Sequence, residues 1–128
     1  MQNNEQANPT KSELEILHVL WQYGPSTVRT VNEHLNEQRE VNYSSTLKLM
    51  QIMETKGLLK RDTNDRSHVY RPAENPEKVQ TQVVNGLRDL AFGGSTSRLV
   101  MRALGDGSAT PEELEEIKRL IEKMQKKG

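Results

Sequence analysis

The chain contains no cysteine, which excludes disulfides, thiolate metal sites and cysteine nucleophiles together. That suits a reducing compartment, and a cytoplasmic protein is expected. Aromatic residues make up only 4% of the chain, and the apolar fraction is 33%. Globular domains usually reach about 45–50% when glycine is counted. One small core is feasible in 128 residues, but two separate large ones are not. Some apolar surface is then left for a partner subunit to complete. No apolar run is long enough for a membrane span or a signal peptide. Residues 1–9, rich in Asn and Gln, read as a disordered lead-in.

Net charge is absent too, with 18 basic and 18 acidic side chains, but the zero hides a local excess. Residues 1–41 carry three basic and six acidic side chains, residues 42–71 six and three, and residues 72–128 nine of each. The positive excess is therefore confined to residues 42–71. A polyanion responds to the charge that faces it, not to the sum over the chain.

Along the chain, Thr10 and Glu13 form a capping-box pair that opens a helix. Leu14, Leu17, Leu20 and Trp21 recur at helical spacing, Ile16 and Val19 widen the stripe, and Gly24-Pro25 ends it. Ser26 is the next cap candidate, for a shorter helix to about Asn36 with Val28, Val31 and Leu35 on one face. Residues 37–41 are polar and read as a loop. Asn42 or Ser44 caps a third helix to Lys56, whose inward face is Thr46, Leu49, Met50 and Met53, with Gly57 past its end.

The period then changes. Leu58–Asp62 reads as a strand, residues 63–67 as a turn, and His68–Arg71 as a second strand that stops at Pro72. Three more helices follow. One is capped by Asn75 with Pro76 in its first turn, one runs from Ser95 to Leu104, and one opens with the capping box Thr110/Glu113. The tail Lys126-Lys127-Gly128 is expected to fray. Helix, helix, helix, hairpin is the winged helix-turn-helix plan. The predicted fold is thus mainly α with a small β-hairpin, in three parts: a lead-in over 1–9, a winged helix-turn-helix over 10–73 and a helical dimerisation region over 74–128. Leu87, Leu90, Leu99, Leu114, Ile117, Leu120 and Ile121 are too many apolar residues for a solvated appendage, since burying each is worth about 1.5–3 kcal/mol. A homodimer is expected.

In a helix-turn-helix the second helix enters the DNA major groove. Here that helix presents Ser44, Ser45, Lys48, Gln51 and Thr55 on its outward face. Gln pairs with adenine, Lys with guanine or phosphate, and Ser with base edges or phosphate. Tyr43 can give its hydroxyl to a phosphate or pack beneath the helix. Lys60, Arg61, Arg66 and Arg71 surround the hairpin, and Arg66 is the candidate wing tip. A charged edge that resists strand pairing would look the same. His68 and Tyr70 are expected to share a hairpin face and to pack.

Nothing points to catalysis or to a metal. His18, His34 and His68 lack ligand spacing, and Glu33-His34 lacks the second His of a zinc-protease motif. Gly93-Gly94 reads as a helix break. No enzyme and no cofactor are expected.

The segment Tyr43–Asp62 followed by Arg66–Pro72, with Leu14-Glu15-Ile16-Leu17, Trp21 and Gly24-Pro25 before it, resembles the penicillinase-repressor family (BlaI/MecI/CopY type). The resemblance runs from about Thr10 to Lys126 and is strongest over 10–72. It implies a bacterial repressor whose C-terminal helices interlock in a dimer while two heads read a palindromic operator, usually with TACA/TGTA cores. By position it implies Ser44, Ser45 and Lys48 as recognition-helix contacts and Arg66 as the wing contact. Two departures matter. Copper-sensing relatives carry a C-terminal cysteine cluster that this chain lacks. Antibiotic-responsive relatives are cut at an Asn-Phe bond in the fifth helix, where this chain has Arg102-Ala103. A membrane sensor-protease is therefore a candidate partner whose scissile pair is missing. Because winged helices also bind proteins, the alternative is an interaction module without direct DNA readout.

Overall fold

The computed structural model describes residues 8–63 and 68–127. The lead-in up to residue 7, the expected wing tip with Arg66, and Gly128 lie outside the described residues. The elements follow in order: α1 (Lys11–Tyr23), α2 (Val28–Asn36), α3 (Tyr43–Lys56), β1 (Leu59–Asp62), β2 (Val69–Pro72), α4 (Pro76–Ala91), α5 (Thr96–Gly105) and α6 (Pro111–Lys127). This is the mainly α winged-helix plan that the sequence predicts. The chain divides into two compact units between Gly86 and Leu87, inside α4.

The first unit holds the core. Ile16, Leu17, Val19 and Leu20 of α1 meet Val28 and Val31 of α2, Met50 and Met53 of α3, Leu59 and Tyr70 of the hairpin, and Val79 of α4. Leu14, Trp21, Leu35 and Leu49 pack around it, partly buried. The capping box forms at α1: the Thr10 N–H donates to Glu13 Oε1 at 2.8 Å, and the Glu13 N–H donates to Thr10 Oγ1 at 3.2 Å. At the other end of α1 the Tyr23 and His34 rings stack with centroids 3.8 Å apart, which joins it to α2.

Helix α2 starts one residue later than Ser26 suggests. Its cap is Thr27, whose Oγ1 accepts from the Thr30 N–H at 3.2 Å. Ser26 is occupied elsewhere. Its N–H donates to the Tyr70 carbonyl at 3.0 Å, its carbonyl accepts from the Tyr70 N–H at 2.8 Å, and its hydroxyl donates to the Gly24 carbonyl. Ser26 thus adds a one-residue bridge to the hairpin.

At the end of α3, Gly57 takes φ +87°, a left-handed conformation that costs Gly least. The Leu58 N–H then reaches back to the Met53 carbonyl at 2.8 Å and turns the chain into β1. The strands are antiparallel, with Leu59 opposite Pro72, Lys60 opposite Arg71, Arg61 opposite Tyr70 and Asp62 opposite Val69. Pro72 therefore belongs to β2 rather than ending it. As the last residue of a two-stranded sheet it needs no ladder N–H. Tyr70 is buried, as expected, but His68 is exposed and has φ +51°, so it does not share Tyr70's packing.

In the second unit, Ser95 caps α5 through the Arg98 N–H, and the Thr110/Glu113 capping box opens α6. Helix α6 continues through Lys127 rather than fraying at Lys126. Between α5 and α6 the Asp106 carboxyl is held below the usual carboxylate range by hydrogen bonds from the backbone and the hydroxyl of Ser108. No residue of α5 or α6 is buried within the single chain.

Candidate nucleic-acid interface

Helix α3 is amphipathic, with Thr46, Met50 and Met53 buried and Ser44, Ser45, Lys48, Gln51 and Thr55 exposed. Residues 44, 48, 51 and 55 lie along one stripe, with Ser45 beside it. Lys48 makes no ion pair among the described residues. The Thr55 hydroxyl is turned back and donates to the Gln51 carbonyl at 3.1 Å, so it does not extend the polar ridge. Asn42 occupies the cap position of α3 without a side-chain capping bond.

The position of α3 is fixed by two asparagines of α2 that sequence reasoning passed over. Asn32 Nδ2 donates to Thr46 Oγ1 at 2.8 Å and to the Val41 carbonyl at 3.1 Å. Asn36 brackets the same residue, donating from Nδ2 to the Val41 carbonyl at 2.9 Å and accepting the Val41 N–H on Oδ1 at 3.1 Å. Residues 37–41 are thus a clamped turn between the two helices. Asn at helical spacing on a solvated helix gives no sign of such a role in the sequence. Arg39 pairs with Glu15 and ties the same turn to α1.

The basic excess of residues 42–71 is thinner in three dimensions than along the chain. Lys56 is paired with Glu13, and Arg61 Nε lies 3.7 Å from Glu54 Oε2. Lys60 and Arg71 face each other across the ladder, both exposed, with no ion pair among the described residues. Like charges placed opposite one another destabilise a strand pair. An external anion laid on that face would relieve the repulsion. Arg66 lies outside the described residues.

Tyr43 is 47% exposed, so it does not serve as a buried anchor. The Arg29 guanidinium lies 5.9 Å from its ring centroid, within cation–π range. Arg29 is a second residue that the sequence reading missed, because it sits in the acid-rich segment. With Tyr43 and Gln51 it lines a cleft of roughly 460 Å³ between the start of α2, α3 and the hairpin, where Arg61 and His68 also lie. Tyr43 and Gln51 thus belong to one site with Arg29 and Arg61, while Ser44, Ser45 and Lys48 are not among its lining residues. Among the described residues no group of three His, Asp or Glu side chains could hold a metal, and no helix is long and apolar enough to cross a membrane.

The apolar residues singled out in the C-terminal helices are largely uncovered in the single chain. Leu87 is 47% exposed, Leu90 91%, Leu114 46%, Leu120 57% and Ile121 46%. Leu99 and Ile117 are partly covered.

Comparison with known proteins follows the same lines. Over 85 residues the chain is 31% identical to the protein named transcriptional regulator BlaI in two strains of Mycobacterium tuberculosis, a match covering 65% of this chain and 62% of the relative's length. The chain therefore spans less than two thirds of these relatives. The structure of a MarR family protein from Bacillus stearothermophilus matches 97% of this chain and 81% of its own with a TM-score of 0.53 and 21% identity, a likeness of fold. The profile of the penicillinase repressor matches residues 9–123. The chain belongs to the penicillinase-repressor family.

Proposed function

We propose that the protein is a cytoplasmic transcriptional repressor that binds a palindromic operator as a homodimer and acts by occluding it. Residues 10–73 are the DNA-binding domain and residues 74–128 the dimerisation region. The observation that carries this reading is the ridge of α3. Ser44, Ser45, Lys48 and Gln51 are exposed together, and Lys48 is not neutralised by any described carboxylate. These are the donors and acceptors that read base edges and phosphates in a major groove. The family membership and the opposed pair of Lys60 and Arg71 on the wing support the same reading.

The exposed apolar faces support the dimer. Leu90, Leu114, Leu120 and Ile121 are exposed in one chain, no residue of α5 or α6 is fully buried there, and a second copy would give these side chains an interior. The two-fold axis of such a pair matches a palindromic site. A membrane sensor-protease as the releasing partner is compatible with this arrangement, because Met101, Arg102 and Ala103 are exposed on α5.

The test is a gel-shift titration of the purified protein on the duplex upstream of its own gene, against a scrambled duplex of equal length. A retarded band that survives excess scrambled competitor is expected. No shift at low salt would end the proposal.

A further inference from the structure

The cleft beside Tyr43 is a separate basic feature from the outward ridge of α3. We propose that it grips a backbone phosphate of the bound DNA between Arg29 and Arg61, an inference that rests on the DNA-binding reading above. The two guanidiniums come from different elements, the first turn of α2 and strand β1, and both line the same cleft. No carboxylate lines it. With both arginines on the wall of one cleft and no carboxylate among its lining residues, a phosphodiester placed there is attracted to both.

The hydrogen-bonding capacity of Arg61 is only partly used. Its NH1 group lies 3.3 Å from His68 Nδ1, and its distance to Glu54 is that of a loose ion pair. A guanidinium has five N–H donors, so most remain for an anion. His68 also lines the cleft, and its backbone is in the left-handed region, unusual for a residue with a side chain. Arg29 makes no ion pair among the described residues and rests over the Tyr43 ring, which orients the guanidinium without neutralising it.

The position of the cleft favours a duplex over a free anion. Gln51 lies on the α3 ridge and also lines the cleft, so a strand whose bases meet the ridge carries its phosphates past Arg29 and Arg61. The flat guanidinium fork matches two phosphate oxygens at once.

Fluorescence anisotropy of full-length protein on a labelled promoter duplex, repeated over a range of KCl concentrations, tests this. Arg29→Ala and Arg61→Ala should each weaken binding about five- to tenfold and lower the salt slope by about 0.9, the value of one phosphate contact. Arg29→Lys and Arg61→Lys should keep most of the slope and lose part of the affinity, because charge survives without the fork. If Arg61→Ala does not fold, the Lys variant carries the test at that position. If wild type binds and Lys48→Ala weakens it while both Arg variants keep wild-type affinity and slope, the cleft inference is overturned and the DNA reading stands. If wild type binds no duplex, the DNA reading falls and takes the cleft's occupant with it. Protection of the wild-type protein by inorganic pyrophosphate in a thermal melt, without duplex binding, would assign the cleft to a free anion instead and overturn the inference.

Discussion

Lys56, the last residue of α3, places its ammonium 3.0 and 2.9 Å from the two carboxylate oxygens of Glu13 in the first turn of α1. Glu13 is 2% exposed, and its Oε1 also accepts the Thr10 N–H. One carboxylate therefore caps the first helix and fastens the end of the third. A charge withdrawn from water to this degree needs both partners.

Replacing Lys56 by Met should strand that carboxylate and cost about 3 kcal/mol, the low end for a broken buried pair, since Lys56 keeps some water contact. Urea denaturation reads the loss directly. DNA affinity of the folded fraction should be unchanged, because the ammonium points to α1. A wild-type denaturation midpoint would show that the pair carries no stability.

Asn32→Ala removes the donor shared by Thr46 Oγ1 and the Val41 carbonyl. A loss of about 1–3 kcal/mol is expected. Hydrogen exchange at the start of α3 should quicken, and duplex affinity should fall although Asn32 lies on α2 and not on the α3 ridge. Exchange at wild-type rates would mean that the clamp does not hold the helix.

Lys48→Ala should weaken duplex binding while leaving the dimer and the thermal midpoint intact. If Lys48 meets a phosphate, the loss is uniform across sequences and the salt slope drops by about 0.9; if it meets a guanine, one base position loses about 1–3 kcal/mol of discrimination. Binding across a panel of single-base operator variants separates the two.

Arg71→Glu turns the opposed cations of the hairpin into an attractive cross-strand pair with Lys60. The ladder should gain about 0.5 kcal/mol, which raises the thermal midpoint by about 2–4 °C. Operator affinity should fall in the same variant. Greater stability together with weaker binding is what a face kept cationic for an anion predicts, and a variant that binds as tightly as wild type would remove the wing from the interface.

Leu90→Asp and Leu120→Asp place charge on the exposed apolar faces of α4 and α6. Each should raise the dimer dissociation constant by about a hundredfold or more, since both protomers lose a leucine whose burial is worth about 1.5–3 kcal/mol. Sedimentation over a concentration series measures it. Wild-type protein that stays monomeric at micromolar concentration would contradict the homodimer.

What could be read from the sequence was local or periodic. Thr10 with Glu13, and Thr110 with Glu113, lie three residues apart and form as capping boxes. The apolar stripes of α1 and α3 place Leu17 and Met50 correctly because helical period alone decides which face is buried. What was not legible came from partners distant in sequence. Ser26 has the right chemistry for a cap, but its backbone is taken by Tyr70, so the helix begins at Thr27. Lys56 adds to the basic excess along the chain although Glu13 neutralises it in the fold, and the fold carries Arg29 from the acidic segment into the cleft. The open apolar face of α6 was legible as well, because 33% apolar residues leave too little for a second core within one chain.

The bridge between Ser26 and Tyr70 also bears on how a duplex is met. It sews the hairpin to the strand-like residue just ahead of α2, so the two jaws that would straddle a groove edge share one backbone frame. Two backbone hydrogen bonds, 3.0 and 2.8 Å long, resist widening at the hinge between them. On the proposed reading, adjustment to a poorly fitting site would then fall on the helical pitch and groove width of the nucleic acid, and sequences that resist bending would be bound more weakly even where every contacted base is correct.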